Sequence, residues 1–245
     1  MALSVRALAG IPEVRPGDDL AALLVAAADD DLRSGDVLVL AHKVVSKAEG
    51  ALVDLAAVVP SARARELAGA FGKDPRHVQA VLDESAEIVR AERGVIVART
   101  RHGFVCANAG VDASNAPDPS TLVLLPRDPD ASARRLRAAL PGRPAVVIAD
   151  SFGRAWRHGQ ADVAIGVAGL GPLEDWRGRA DAGGRELHAT WIAIADEAAA
   201  AADLARAKDS REPAVLVRGL ERHVTADDGP GAAALVRAPA EDLFR

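Results

Sequence analysis

A short apolar run, Ala145-Val146-Val147-Ile148-Ala149, stops on Asp150-Ser151 and passes into Phe152-Gly153-Arg154-Ala155-Trp156-Arg157-His158-Gly159-Gln160-Ala161-Asp162-Val163-Ala164-Ile165-Gly166. A β-branched run that ends on an acid and a hydroxyl reads as a buried strand delivering polar groups to a site. Asp150 and Ser151 supply oxygens suited to a hard divalent cation. Arg154 and Arg157 supply planar donors suited to phosphate or carboxylate. The same residues also read as a strand end followed by a solvated turn, and this segment alone leaves the two readings open.

The rest of the chain alternates strand-like and helix-like segments with short connections. Val37–Leu40 predicts a strand, and Leu20, Leu23, Leu24 and Ala27 fall on one face of a helix from about Asp18 to Leu32. Asp18 or Asp19 caps that helix, and Pro16-Gly17 punctuates its start. Helices are predicted at Ala62–Phe71 and Pro75–Arg90, and a long Ala-rich one from Leu187 to about Ala205. Strands are predicted at Val95–Ala98, Leu122–Leu125, Ala145–Ala149 and Ala214–Val217. The Gly-rich, charged stretch 166–184 predicts a loop or an irregular lobe. No phosphate-binding βαβ fingerprint occurs, so the class reads as α+β, a mixed sheet with helices.

At 245 residues the chain has enough length for a substantial core, and 49% hydrophobic with 27% charged residues is the profile of a globular protein. Aromatics are only 3% and Tyr is absent, so the core must be built from Ala, Val, Leu and Ile. The net charge is −5 with both signs interspersed, and no basic stripe points to nucleic acid. A single cysteine, Cys106, rules out an intramolecular disulfide and gives a cysteine zinc site no support. The N-terminus, Met1-Ala2-Leu3-Ser4-Val5-Arg6, lacks the pattern of a signal peptide, and no run of 18 apolar residues is present to span a bilayer. The expectation is a cytoplasmic protein that binds neither membrane nor nucleic acid.

Other residues carry candidate chemistry. No GxxxxGK[ST] or GxGxxG occurs, so a nucleotide site must be built another way. Lys43 and Lys47 lie four apart after the Val37–Leu40 run, and they either clamp one polyphosphate or sit on a solvated surface. The small-residue stretch 105–115 allows close backbone approach to a ligand; Asp112 is a second candidate metal carboxylate and Asn115 a donor and acceptor, unless the two merely form an Asx turn. Cys106 reads as a small buried hydrophobe. None of the six histidines forms an HxxxH or HxH pair, so oxygen ligands and hence Mg2+ or Mn2+ are favoured. Asp175, Arg177 and Asp181 form a charged loop, and Asp196-Glu197 is an acidic pair within a helix, either behind a metal site or exposed.

Taken in succession, Gly10-Ile11-Pro12-Glu13 with Arg15-Pro16-Gly17-Asp18-Asp19-Leu20, Lys43-Val44-Val45-Ser46-Lys47-Ala48-Glu49-Gly50, the stretch 100–112, the 150–166 block, Ala195-Asp196-Glu197 and Val217-Arg218-Gly219 resemble the coenzyme F420:L-glutamate ligase family. The resemblance runs in order over nearly the whole chain. It implies GTP-dependent addition of L-glutamate to the lactyl carboxylate of coenzyme F420-0 through an acyl phosphate, with further γ-linked glutamates added by some members. It implies that Ile11, Pro12, Glu13 and Val14 line the nucleotide with His42, Lys43, Lys47, Asn115 and Lys208. Asp112, Asp150 and Ser151 would hold metal, two Mg2+ or Mn2+ ions with K+ as an accessory; Lys47, Arg154 and Arg157 would serve catalysis. The fold it implies is an intertwined α+β homodimer, one ligase module over residues 1–245 that can comprise two closely packed lobes, without the C-terminal flavin-binding, nitroreductase-like domain fused to it in some members. Where the family carries Gly-Lys, this chain has Ala207-Lys208. A metal-dependent phosphohydrolase and a non-catalytic nucleotide-binding relative are the competing readings of the same residues.

Overall fold

The computed structural model describes residues 2–29 and 31–242. In chain order the strands are β1 Ser4–Ala7, β2 Val37–Ala41, β3 Leu52–Asp54, β4 Ser85–Glu92, β5 Val95–Thr100, β6 Val105–Ala107, β7 Thr121–Val123, β8 Ala145–Arg154, β9 Arg157–Ala168, β10 Glu174–Asp175, β11 Trp191–Ile192 and β12 Ala214–Arg218. The helices are α1 Leu20–Ala28, α2 His42–Ala48, α3 Ala62–Phe71, α4 Pro75–Glu84, α5 Pro129–Ala139 and α6 Ile194–Ala205.

A five-stranded sheet in the order β1-β12-β2-β8-β9 organises the molecule, with β2 and β8 its one parallel pair. Its central strands are apolar on both faces because both faces are covered. Leu38, Leu40, Val146 and Ile148 face one core, shared with Leu20 and Leu24 of α1 and Ala133 of α5. Val37, Val39, Val147 and Val215 face the other, against Ala195, Ala199 and Ala202 of α6. Gly166 of β9 lies so close to α5 that a Cβ there would stand 2.4 Å from the Pro129 carbonyl oxygen. A separate core holds α3, α4 and the β4-β5-β6 sheet together through Leu67, Val78, Val81, Ile96, Ala98, Val111 and Leu122. The β3–β7 ribbon adjoins it. Mixed sheet plus helices is the α+β class read from the sequence.

Several element boundaries differ from expectation. The helix that starts at Pro75 stops at Glu84, where the Ser85 hydroxyl donates to the Val81 carbonyl at 2.6 Å, and residues 85–92 pair with β5. The Ala-rich helix begins only at Ile194, because Trp191-Ile192 pairs with Glu174-Asp175. The apolar run 145–149 continues without a break to Arg154, antiparallel to the long β9. Helix α1 stops at Asp29 in the left-handed conformation, short of Leu32. Among the described residues no helix is long and apolar enough to cross a membrane.

Candidate functional site

The parallel register sets the site. Ala41 of β2 pairs with Ala149 of β8, so the next residues, His42 and Asp150, emerge side by side at the same end of the sheet. His42 Nε2 lies 3.4 Å from Asp150 Oδ1, and its Nδ1 lies 3.3 Å from Ser46 Oγ on the next turn of α2. The His42 side chain is only 3% exposed, which makes it a buried prop for Asp150.

One residue further on, Lys43 reaches the other aspartate. Its Nζ donates to Asp112 Oδ2 at 2.5 Å, to Ser114 Oγ at 2.6 Å and to the Ser114 carbonyl at 3.1 Å, which uses all three ammonium protons. Asp112 is fixed by its backbone to Val123 of β7. Burial pushes the Asp112 carboxyl upward, but its hydrogen bonds to Lys43 and Ser114 together hold it below the usual carboxylate value. Successive residues of one helix therefore carry the two aspartates, Asp150 from the main sheet and Asp112 from the smaller core. Lys47, a turn later and nearly buried, is ion-paired with Glu13.

Asp150 and Ser151 open a second group. The Ser151 amide donates to Asp150 Oδ1 at 2.8 Å, and its hydroxyl donates to Asp162 Oδ1 at 2.5 Å, straight across the hairpin in the Ser151–Asp162 register pair. Lys208 Nζ donates to Ser151 Oγ at 2.6 Å and lies 3.3 Å from Asp203. Arg206 donates to Asp162 Oδ2 at 2.5 Å.

The remaining candidates lie at varying distances from this centre. Ile11 and Val14 are buried in the α1-side core, so their side chains anchor the 11–14 segment and leave Pro12 and Glu13 exposed. Asn115 is exposed in the left-handed conformation, φ 53°, beside the Ser114 that Lys43 holds. Arg154 and Arg157 flank the hairpin tip, where Arg154 donates to the His158 carbonyl at 2.7 Å. Strands rise about 3.3 Å per residue, so Arg154 stands roughly 10 Å along the strand from Ser151. Proximity in sequence thus does not bring the tip arginines to the carboxylates.

Three further features resolve into structure. Burial, aided by the nearby Asp150 charge, pushes the Cys106 thiol up to about 12. Asp196 accepts from the Ala164 amide at 2.9 Å and ties β9 to α6, with burial raising its carboxyl, while Glu197 is exposed. In the charged loop Arg177 forks onto Asp175 and covers the Trp191 ring at 4.1 Å, so its charges are satisfied locally. A cavity of about 650 Å³ lined by Arg137, Arg143, Glu221 and Thr225 shares no residue with the site.

The donors here, Asp112, Asp150 and Ser151, are hard oxygens of the kind Mg2+ and Mn2+ take, and in that chemistry they fit a divalent cation. Asp112 joins such a set only when Lys43 releases it; among the described residues no three or more His, Cys, Asp or Glu side chains already converge on one point. Asp162 and Arg206 are the residues the sequence reading missed. A two-residue hairpin turn would set Gln160 opposite Ser151, and only the bulge at Gly153/Arg154 shifts Asp162 into that place.

The site thus sets carboxylates, a serine hydroxyl and lysines together at one end of the mixed sheet of an α+β protein. The F420-0:gamma-glutamyl ligase family profile matches residues 10–219. A coenzyme F420:L-glutamate ligase of Methanopyrus kandleri is 48% identical, covering 95% of this chain and 94% of that protein. Proteins of the same name from Methanothermobacter thermautotrophicus and Natronomonas pharaonis are each 45% identical, the first over the full length of both chains and the second over 98% of this chain and 93% of its own. The chain belongs to the F420-0:gamma-glutamyl ligase family, and its class is ligase.

Proposed function

We propose that this chain joins L-glutamate to the lactyl carboxylate of coenzyme F420-0 at the expense of GTP, as a step of coenzyme F420 biosynthesis. The observation that carries the reading is that His42 and Lys43, consecutive residues of α2, contact Asp150 and Asp112 respectively, in a chain of this family. A carboxylate is a poor electrophile, and amide formation in water is uphill. Both problems are solved if the γ-phosphoryl group of GTP passes first to a carboxylate oxygen, releasing GDP. The glutamate α-amine then attacks the acyl carbon, phosphate leaves with the carbon–oxygen bond, and the amine nitrogen loses its proton. No protein nucleophile is required.

Phosphoryl transfer of this kind is chiefly positioning and charge neutralisation. Asp112, Asp150 and Ser151 would hold the divalent metal, Mg2+ or Mn2+, which when bound neutralises phosphate oxygens. Lys43, released from Asp112, and Lys47, released from Glu13, supply cations to the polyphosphate, with Lys208 approaching from the Ser151 side. Pro12, Glu13 and Asn115 would line the nucleotide, with buried His42 acting through Asp150. Arg154 and Arg157, remote from the transferring phosphoryl, suit a distant anionic part of a long substrate, the phosphodiester of the acceptor or the carboxylates of glutamate. We extend the proposal to a homodimer in solution, which sedimentation equilibrium tests directly.

Purified protein is incubated with GTP, Mn2+, F420-0 and L-glutamate and the products are read by mass spectrometry. The expected result is a gain of one or more glutamyl units matched by GDP. Phosphate release that ignores glutamate would replace the ligase by a phosphohydrolase, and GTP binding without turnover would mark a non-catalytic relative.

A further inference from the structure

The geometry points to Asp162, held by Arg206, as the positioning residue that fixes the Ser151 hydroxyl with its oxygen lone pair outward, toward the cation and phosphate. The inference rests on the metal-holding role proposed for Ser151. Asp162 lies on β9, and its side chain is 1% exposed. Three donors surround it: Ser151 Oγ at 2.5 Å, Arg206 Nη2 at 2.5 Å and Lys208 Nζ at 3.9 Å. Arg206 is itself 10% exposed and braced on the Pro213 carbonyl at 3.0 Å.

Donor and acceptor chemistry fixes the direction of the serine proton. The Lys208 ammonium has nothing to accept with, so its 2.6 Å contact with Ser151 Oγ takes a serine lone pair. The single hydroxyl proton then has one acceptor in reach, Asp162 Oδ1. What remains of the oxygen is a second lone pair. A hydroxyl free to rotate would spend part of its time presenting a proton to an incoming cation, and a ligand held in orientation from behind binds more tightly than one that is not. A buried ion pair is poor evidence for stability, since an apolar pair of the same shape serves as well or better. Asp162 and Arg206 therefore find their use in aiming Ser151 and in holding the 206–208 segment, with Lys208, against it.

Replacement of Asp162 by asparagine tests this, because Arg206 can only donate. It claims the amide oxygen and leaves the amide nitrogen to donate to Ser151 Oγ, which turns the serine proton outward. Calorimetric titration with Mn2+ alone and with Mn2+ plus GTP is compared across the parent, Ser151→Ala, Asp162→Asn and the double variant. Asp162→Asn is expected to weaken Mn2+ binding about 10- to 100-fold. The double variant is expected to bind no more weakly than Ser151→Ala alone, which a merely structural role would not produce. Should Asp162→Asn fold poorly, Asp162→Leu with Arg206→Met removes both charges together and is expected to show the same loss. Unchanged affinity in the Asp162 variants beside a weakened Ser151→Ala overturns the inference alone, as do losses that multiply in the double variant. An unaffected Ser151→Ala removes both the serine and its prop from the site.

Discussion

Asp150 meets His42 only because β2 and β8 run parallel in register, and His42 is too buried to reach far beyond it. Exchange to asparagine keeps the shape and removes the charge. If Asp150 holds the metal as proposed, Asp150→Asn is expected to lower glutamate-dependent turnover at least about 100-fold with an unchanged circular dichroism spectrum, since the groups behind ligands alone are worth 10- to 100-fold. Unchanged turnover would take Asp150 out of the chemistry. Near Asp112 the backbone itself is specialised: Asn108, Ala109 and Gly110 follow one another at φ 52°, 52° and 73°. A Cβ on Gly110 would stand 2.6 Å from Leu125 Cγ. Gly110→Ala is expected to cost more than about 1 kcal/mol in urea unfolding, since the left-handed backbone and the contact both oppose it. At this scale the sequence made Asp112, Asp150 and Ser151 readable as candidates, because acids and hydroxyls next to apolar runs stand out. Asp162 was not, because its partner depends on a bulge and its neighbours read as a turn.

Elements were legible where their ends are written locally. Helix α3 matches its predicted span because Ser61 caps it, accepting from the Ala64 amide at 3.1 Å, and Gly72 closes it in the left-handed conformation. The stretch 85–92 has helix-forming Ala, Glu and Arg, yet it pairs with β5, a tertiary contact that propensity does not contain. The start of α6 is set by the same kind of contact, and Asp196 in its first turn carries a testable consequence. A helix N-terminus favours a carboxylate, but burial outweighs that and raises this one. The folded protein then holds the proton more tightly than the unfolded chain does. Stability from this group is present below its ordinary value of 3.8 and is lost as pH rises through the raised folded value. Asn at this position still accepts from the Ala164 amide without a charge to bury. Asp196→Asn is therefore expected to unfold at a higher temperature than the parent near pH 7, with the advantage shrinking toward about pH 4. Parallel melting curves across that range check it; an advantage that grows on acidification would be the wrong sign.

At the scale of the whole molecule, the candidate site lies where two cores meet. Asp150, Ser151 and Asp162 belong to the large sheet, while Asp112 follows Val111 of the smaller core and is tied to β7. Helix α2 bridges them, with His42 on one side and Lys43 on the other. Neither side alone presents both carboxylates, which is why sequence proximity was a poor guide: Asp112 and Asp150 each meet one of two consecutive residues of α2, and Arg154 and Arg157 are carried off by the hairpin. A ligand that uses both aspartates must contact both bodies, and one that binds the folded state protects what it bridges. Hydrogen exchange measured with and without Mn2+ and GTP is expected to slow together in residues 108–115 and 150–162, with the same dependence on nucleotide concentration. Protection confined to one segment, or two segments saturating at different concentrations, would show that the aspartates serve separate ligands and would break the bridge on which the ligase reading stands.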